Sequence, residues 1–314
     1  GDTTLDLWRY FKTGGMVHSI AQSADVPSVA EAGVLAAASQ HVDCTTADAS
    51  LTGTDNAGIY HRIEGWRFRA IAQRAFTLTF WVKATKPGVY CVSFRNAGPD
   101  FRSYVAEYTV EAAGVWERKT ITVPASPAAG DWDYGTGIGL QVIWSFGTGP
   151  TLQTTPGVWQ TGNFSGTANQ VNACDSAAND FRLALVQLVP GEGRVPFRPR
   201  DFAEELALCQ RYLEKSYDHA VAPGTSLSNP GVVHLVVPSN TIAAGQEYGS
   251  IRFAAPKRAA PTVTIYGYTG GSGVVSNTSG TERPANSGAV QMAGEGGFTI
   301  FNNSGGDVTT TGSI

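Results

Sequence analysis

Long apolar runs are missing from this sequence. No stretch of about twenty residues is apolar enough to span a bilayer, and the N-terminus lacks the basic-then-apolar layout of a secretory leader. The expectation is a protein without a signal peptide that is not inserted in a membrane. Charge is scarce as well: Asp, Glu, Lys and Arg make up 15% of the chain, the net charge is −4, and no Lys/Arg cluster stands out. That removes the electrostatic footprint of a nucleic-acid binder. The four cysteines, Cys44, Cys91, Cys174 and Cys209, include no CxxC pair, so neither a zinc ribbon nor a dense disulfide framework is suggested. Cys91 in a strand pattern and Cys209 on an apolar helix face read as small buried hydrophobes. The five histidines, His18, His41, His61, His219 and His234, are scattered without an HxxxH pair, and no GxSxG occurs, so no metal, cofactor or serine-hydrolase site is signalled.

What is abundant points to β-structure. Gly accounts for 37 of 314 residues and aromatics for 10%, as in a chain of short strands and tight turns. In "FTLTFWVK" Phe76, Leu78, Phe80 and Val82 fall on one face, and Thr77, Thr79, Trp81 and Lys83 on the other. "VYCVSF", "YVAEYTV", "WERKTITV", "IGLQVIWSF" and "FRLALVQLV" continue the series, divided by turn sequences such as "TKPG" and "RNAGPD". Trp81 and Trp144, inside such strands, are expected in the core. Six or more strands without intervening helices predict a two-sheet sandwich of the jelly-roll type. The first seventy residues, with the Ala-rich "VAEAGVLAAAS" and with "IYHRIEGWRF", are read as its opening part.

One helix interrupts the β pattern. "EELALCQRYLEKSYD", Glu204 to Asp218, sets Phe202, Leu206, Cys209 and Leu213 at spacings of four, three and four. Too short to stand alone, it must lean on something, either the chain's own sandwich or copies of itself. After it, "VVHLVVP", "GSIRFAAP", "PTVTIYGY" and "GFTIFNNSGG" are read as strands of a second module. The expected layout is all-β: a jelly roll over 1–200, a junction helix over 201–219, and a smaller C-terminal β module over 220–314. With no Met at Gly1 and an ending in "TTTGSI", the chain reads as part of something longer.

At "VQLVPGEGRVPFRPRDFAEELALCQRYLEKSYD" the sequence resembles a segment of tail-fibre and related receptor-binding proteins of tailed bacteriophages, in Val186 to Gly191, Val195 to Pro199 and Glu204 to Tyr212. Val189 stands where that family often has an acidic residue, and Arg198 where it often has Glu. Upstream, "YHRIEGWRFRAIAQRAFTLTFWVKA", "RSYVAEYTV", "WERKTITV" and "WQTGNFSGTANQVNACDSAANDF" are similar to the carbohydrate-binding-module-like jelly roll of those fibres. The resemblance implies a homotrimeric fibre on a virion surface, of tail or head, made in the bacterial cytoplasm, that adheres to host surface polysaccharide alongside other virion proteins. Phe202, Leu206, Cys209 and Leu213 would then line a trimer axis.

Sugars are held by flat aromatic faces and by planar polar groups for their hydroxyls. Trp132 and Tyr134 in "GDWDYGTG" and Trp159 in "TTPGVWQTGN" sit in Gly-rich loops with Asp131, Asp133, Gln160 and Asn163 nearby. They are either a sugar platform or the cover of a sheet edge or subunit contact. In "RNAGPDFRSY", Arg95, Asn96, Asp100 and Arg102 are either a cradle for an acidic sugar or a structural turn. Asp131 and Asp133 share a loop and are the carboxylates to weigh for a capsule-cleaving glycosidase or a calcium ion, but the loop lacks a long ligand series and fits a plain Asx turn better. Glu64, Glu107 and Asp175 cannot be paired from the sequence. The preferred reading is a non-enzymatic adhesin, with a structural fibre segment and a depolymerase as alternatives.

Overall fold

The computed structural model describes residues 3–5, 8–193, 195–218, 220–226, 231, 233, 235, 241–276, 282–284, 290–302 and 308–309. His219, His234, residues 310–314 and most of the expected strand "VVHLVVP" lie outside them. Two compact units divide the chain, Gly1–Arg198 and Pro199–Ile314.

The first unit is a jelly-roll sandwich. Its elements in order are β1 (Thr3–Leu5), β2 (Trp8–Thr13), β3 (Val17–Ser23), α1 (Val29–Ala32), β4 (Ser39–Thr46), β5 (Asn56–Glu64), α2 (Gly65–Phe68), β6 (Phe76–Ala84), β7 (Gly88–Arg95), β8 (Arg102–Val110), β9 (Glu117–Val123), β10 (Ile138–Thr148), β11 (Trp159–Thr161) and β12 (Asp180–Pro190). Among the described residues they form a seven-stranded sheet, β1-β2-β5-β10-β7-β8-β11, and a five-stranded sheet, β3-β4-β12-β6-β9, antiparallel throughout. Alternation decides which face turns inward. Leu140, Val142, Trp144 and Phe146 of β10 meet Phe76, Leu78, Phe80 and Val82 of β6 in the core, all 2% exposed or less. Each such side chain contributes about 1.5–3 kcal/mol on burial. Trp81 is also buried, at 8%, but on the far face of its sheet, opposite the sandwich core. The even period of the strand requires this, since Phe80 and Val82 point inward.

The Ala-rich segment holds only the single turn α1. Ser28 and Glu31 form a capping box at its start, and Gly33, at φ 75°, ends it. "IYHRIEGWRF" is a strand running directly into a helical turn. There α2 lies so close to β10 that a Cβ on Gly139 would come 2.5 Å from Cβ of Phe68.

Asp25 organises the outer side of the five-stranded sheet. Its carboxylate accepts from Lys83 Nζ at 2.7 Å, Arg182 Nη1 at 2.5 Å and Trp116 Nε1 at 2.9 Å. Burial alone would raise its pKa, but these hydrogen bonds and the two cations outweigh burial and hold it below the ordinary carboxylate value.

The second unit contains α3 (Phe202–Gln210), β13 (Thr241–Ile242), β14 (Glu247–Arg252), β15 (Val274–Ser276), β16 (Glu282–Pro284), β17 (Val290–Gln291), β18 (Gly297–Phe301) and β19 (Val308–Thr309). Ile242, Tyr248, Val275 and Ile300 are its buried apolar residues among those described. "PTVTIYGY" is not a strand. Its backbone bonds close a local turn instead, Gly273 N–H to Ile265 O and Gly267 N–H to Gly271 O.

The helix departs from expectation at its C-terminus. It starts with Asp201 as cap, the carboxylate accepting from Ala203 N–H, but it stops at Gln210, so Leu213 falls outside it. The last carbonyls are claimed from elsewhere: Lys257 Nζ donates to Gln210 O, and Arg258 N–H to Arg211 O. No residue of α3 is fully buried, and Phe202 and Leu213 are 70% and 75% exposed. Of the four-residue stripe expected at a trimer axis, Phe202, Leu206 and Cys209 lie in α3, and Leu213 follows just past its end with its N–H still donating to Cys209 O.

Candidate carbohydrate-binding face

Arg95 and Arg102 share one connection in the sequence, yet they stand on opposite faces of the seven-stranded sheet. Arg102 is in phase with the inward-facing Tyr104 and forms an ion pair with Asp100, while also donating to Phe101 O. Asn96, fully buried, ties that turn by donating to Asp100 O and Asp131 O and accepting from Arg102 N–H. The "RNAGPDFRSY" connection is thus a structural turn around Asn96 and Arg102, and Arg95 alone leaves it for the outer face.

The loop aromatics are likewise pulled inward. Trp132 stacks on the buried Phe68 with centroids 5.0 Å apart, Tyr134 stacks on the same ring at 5.9 Å, and Trp159 meets Trp132 edge-on at 5.8 Å and Tyr104 at 5.5 Å. Both indole N–H groups are used locally, Trp132 on Ala129 O and Trp159 on Pro124 O. The expected sugar platform is a half-buried aromatic wedge that closes one end of the sandwich, because α2 brings Phe68 there to be covered. Asp131 Oδ2 accepts from Asp100 N–H, and Asp133 Oδ1 accepts from Gly135 and Gly137 N–H, an Asx turn. Both carboxylates thus serve the backbone.

The outer face of the seven-stranded sheet presents a different arrangement. Much of it is roofed by the connection from β10 to β12. Thr167 and Asn169 donate to Glu107, Gln170 donates to Ser145 O, and Ser103 Oγ donates to Gly162 O. Under this cover Cys91, Ser93, Ser103 and Val105 are fully buried. Burial pushes the Cys91 thiol up to about 11 and leaves it an inert thiol.

Where the roof ends, the register lines up Arg62 of β5, Gln141 of β10, Arg95 of β7, Ser103 of β8 and Gln160 of β11 in one row across five strands. Arg95 Nε and Nη2 donate to Gln141 Oε1 at 3.2 and 2.6 Å, and Nη1 donates to Asn163 Oδ1 at the edge of the roof. Its guanidinium also lies 5.3 Å from the Phe101 ring centroid. Burial pulls the Arg95 pKa down to about 10, Tyr60 opposes the fall and the Arg62 charge adds to it. Arg62 Nη2 donates to Tyr60 Oη at 2.9 Å with its guanidinium over the Tyr60 ring, and the Phe11 ring follows at 5.6 Å. Phe11 has room there because its cross-strand neighbour is Gly58, where a Cβ would come 2.9 Å from the ring. Half-buried guanidinium, amide and aromatic groups thus converge on one patch.

Of the residues expected at a site, the structure brings Arg95 and Asn163 into contact and places Gln160 in the same row. It sets Trp132, Tyr134, Trp159, Asp131, Asp133 and Arg102 apart from them. Phe11, Tyr60, Arg62 and Gln141 were not among the expected residues. The alternation Gly58, Tyr60, Arg62 against Ala57, Ile59, His61 was the signal that marks an outward polar face.

No protein-family model matches the chain, and no curated protein matches it. Solved structures with some likeness include the enzymatically active domain of tailspike protein 4 from bacteriophage CBA120, 12% identical over 59% of this chain and 19% of that one, with a TM-score of 0.35. A second is the family 11 carbohydrate-binding module from Clostridium thermocellum in complex with a β-1,3-1,4-mixed-linked tetrasaccharide, 11% identical over 60% of this chain and 92% of that one, at 0.34. A third is the tandem of carbohydrate-binding modules from Paenibacillus barcinonensis Xyn10C, 13% identical over 60% of this chain and 46% of that one, at 0.35. The match spans less than a fifth of the tailspike chain. The jelly-roll assignment rests on the strand order and shared core described above.

Proposed function

We propose that this chain is a non-catalytic glycan-binding protein, part of a fibre on a virion surface that attaches to host surface polysaccharide. The glycan reading is carried by the row Arg62, Gln141 and Arg95 with Asn163 beside it and the Tyr60 and Phe11 rings at its end. Planar donors meet sugar oxygens, and the two rings accept the apolar side of a pyranose. Asp131 and Asp133, being bonded to backbone amides, give no support to a depolymerase. The virion setting, the homotrimer and the other virion partners rest on the resemblance of Val186–Gly191, Val195–Pro199 and Glu204–Tyr212 to phage fibre segments. A trimer suits the chemistry, since single sugar contacts are weak and several rigidly held copies raise avidity by roughly 10²–10⁴.

The test is a glycan array with whole-cell binding, on material whose mass is determined by light scattering. The expected result is a trimer that binds one polysaccharide family and loses about tenfold or more in affinity with Asn163→Ala or Tyr60→Ala. Trp132→Ala is expected to keep binding while costing about 2 kcal/mol of stability, less than a fully buried Trp because the ring is only half covered. A folded protein that binds no glycan and no cell would favour a structural fibre segment. Release of reducing ends would favour a depolymerase.

A further inference from the structure

Arg62 and Arg95 are half-buried with no acidic partner among the described residues. Among the described residues Lys83, Lys86, Arg102, Lys119 and Arg182 of the same unit each pair with a carboxylate, whereas no ion pair reaches Arg62 or Arg95. They flank Gln141 on neighbouring strands, so their backbones are about 10 Å apart, two strand spacings. Keeping two like charges half-buried at this separation is unfavourable without an anion.

A guanidinium has five N–H donors. Arg95 uses three of them, on Gln141 and Asn163, and Arg62 uses one, on Tyr60. The Nε of Arg62 is shielded and out of a ligand's reach, which leaves three N–H donors on its two Nη atoms. The Gln141 and Asn163 carbonyl oxygens are both turned onto Arg95, and the Tyr60 oxygen onto Arg62, so the row offers mainly donors outward. A neutral sugar hydroxyl needs an acceptor as well as a donor, whereas a carboxylate only accepts, and it matches the planar fork of arginine.

We infer that the row takes an acidic polysaccharide, seating a sugar carboxylate between Arg62 and Arg95 with the sugar ring against Tyr60 and Phe11. This rests on the glycan-binding reading above and narrows it to one ligand class. The bound carboxylate supplies the missing counter-charge, so binding weakens as salt rises.

The test measures binding of the full chain by calorimetry to polygalacturonate, hyaluronan and polysialic acid, to the carboxyl-reduced form of each, to a neutral β-glucan, and to dextran sulfate. The expected result is binding to a carboxylated polymer that falls about 10- to 100-fold on carboxyl reduction, the range for a hydrogen bond to a charged group. Arg62→Gln and Arg95→Gln are expected to lose a similar factor and to narrow the preference for acidic over reduced polymers. Because the reduced polymers are tested on the unaltered chain, the inference is judged even where a variant fails to fold. Equal binding of acidic and reduced forms, a preference for the β-glucan, or binding of dextran sulfate alone would overturn it while leaving glycan binding in place. Binding to none of these polymers or to any neutral glycan of the array would overturn the glycan reading itself.

Discussion

Replacing Lys257 by alanine is expected to destabilise the second unit by about 3 kcal/mol, the lower end for breaking a buried ion pair by removing one partner. Lys257 is 3% exposed and holds the Glu214 carboxylate, while the same ammonium caps Gln210 O at the end of α3 and lies 4.6 Å from the Phe253 ring centroid. Removing it orphans a helix-end carbonyl and a largely buried carboxylate together. Glu214 keeps its bond from Ala254 N–H, which limits the loss. All seven tryptophans lie in 1–198, so indole fluorescence does not report on this unit. Hydrogen exchange does: the amides of Lys257 and Arg258 are expected to exchange more than about a hundredfold faster in the variant. An unchanged rate would show that Lys257 does not hold the helix end.

The first unit is expected to lose stability between about pH 6.5 and pH 4 through His18. Its ring is held by Tyr10 Oη on Nδ1 at 2.9 Å, with Cys174 Sγ 3.7 Å from Nε2, and burial lowers its pKa from 6.5 to about 4, with Lys12 adding to the fall and Asp43 opposing it. The unfolded chain therefore binds a proton on His18 in a range where the folded chain does not, so stability falls as pH drops through that window. The full shift corresponds to about 3 kcal/mol, and about 2 remains after allowing for the ring's partial exposure. Urea unfolding followed by Trp fluorescence at pH 7 and pH 5 should show the loss, and His18→Gln should flatten it. A slope identical in the variant would assign the effect to other groups. Below about pH 4 a separate decline is expected as Asp25, whose pKa is depressed, takes up a proton and releases Lys83 and Arg182.

Much of the sandwich is legible in the sequence because its strands alternate. Phe76, Leu78, Phe80 and Val82, like Leu140 to Phe146, announce their buried face by the period of two, and the observed register follows it. The end of α3 is not legible in the same way. The pattern from Glu204 to Asp218 continues past Gln210, but Lys257 and Arg258, distant in the chain, take the carbonyls that another turn would need. Trp132 and Trp159 mislead for a related reason. Their Gly-rich loops suggest exposure, yet Phe68 from another part of the chain fills the space beneath Trp132, and Trp159 packs against Trp132. The candidate face is the least legible feature of all, since Arg62, Arg95, Gln141 and Asn163 meet only through cross-strand register and the folding back of the β10–β12 connection.

The most direct test of the account is to locate a bound oligosaccharide on the protein, by hydrogen exchange or by a structure of the complex, using a polymer selected in the binding assays. Protection is expected in Asn56–Glu64, at Arg95 and at Asn163, with sugar against Tyr60 and Phe11. Protection centred on Trp132, Tyr134 and Trp159, or confined to the second unit, would contradict it and move the site to the wedge or to Pro199–Ile314.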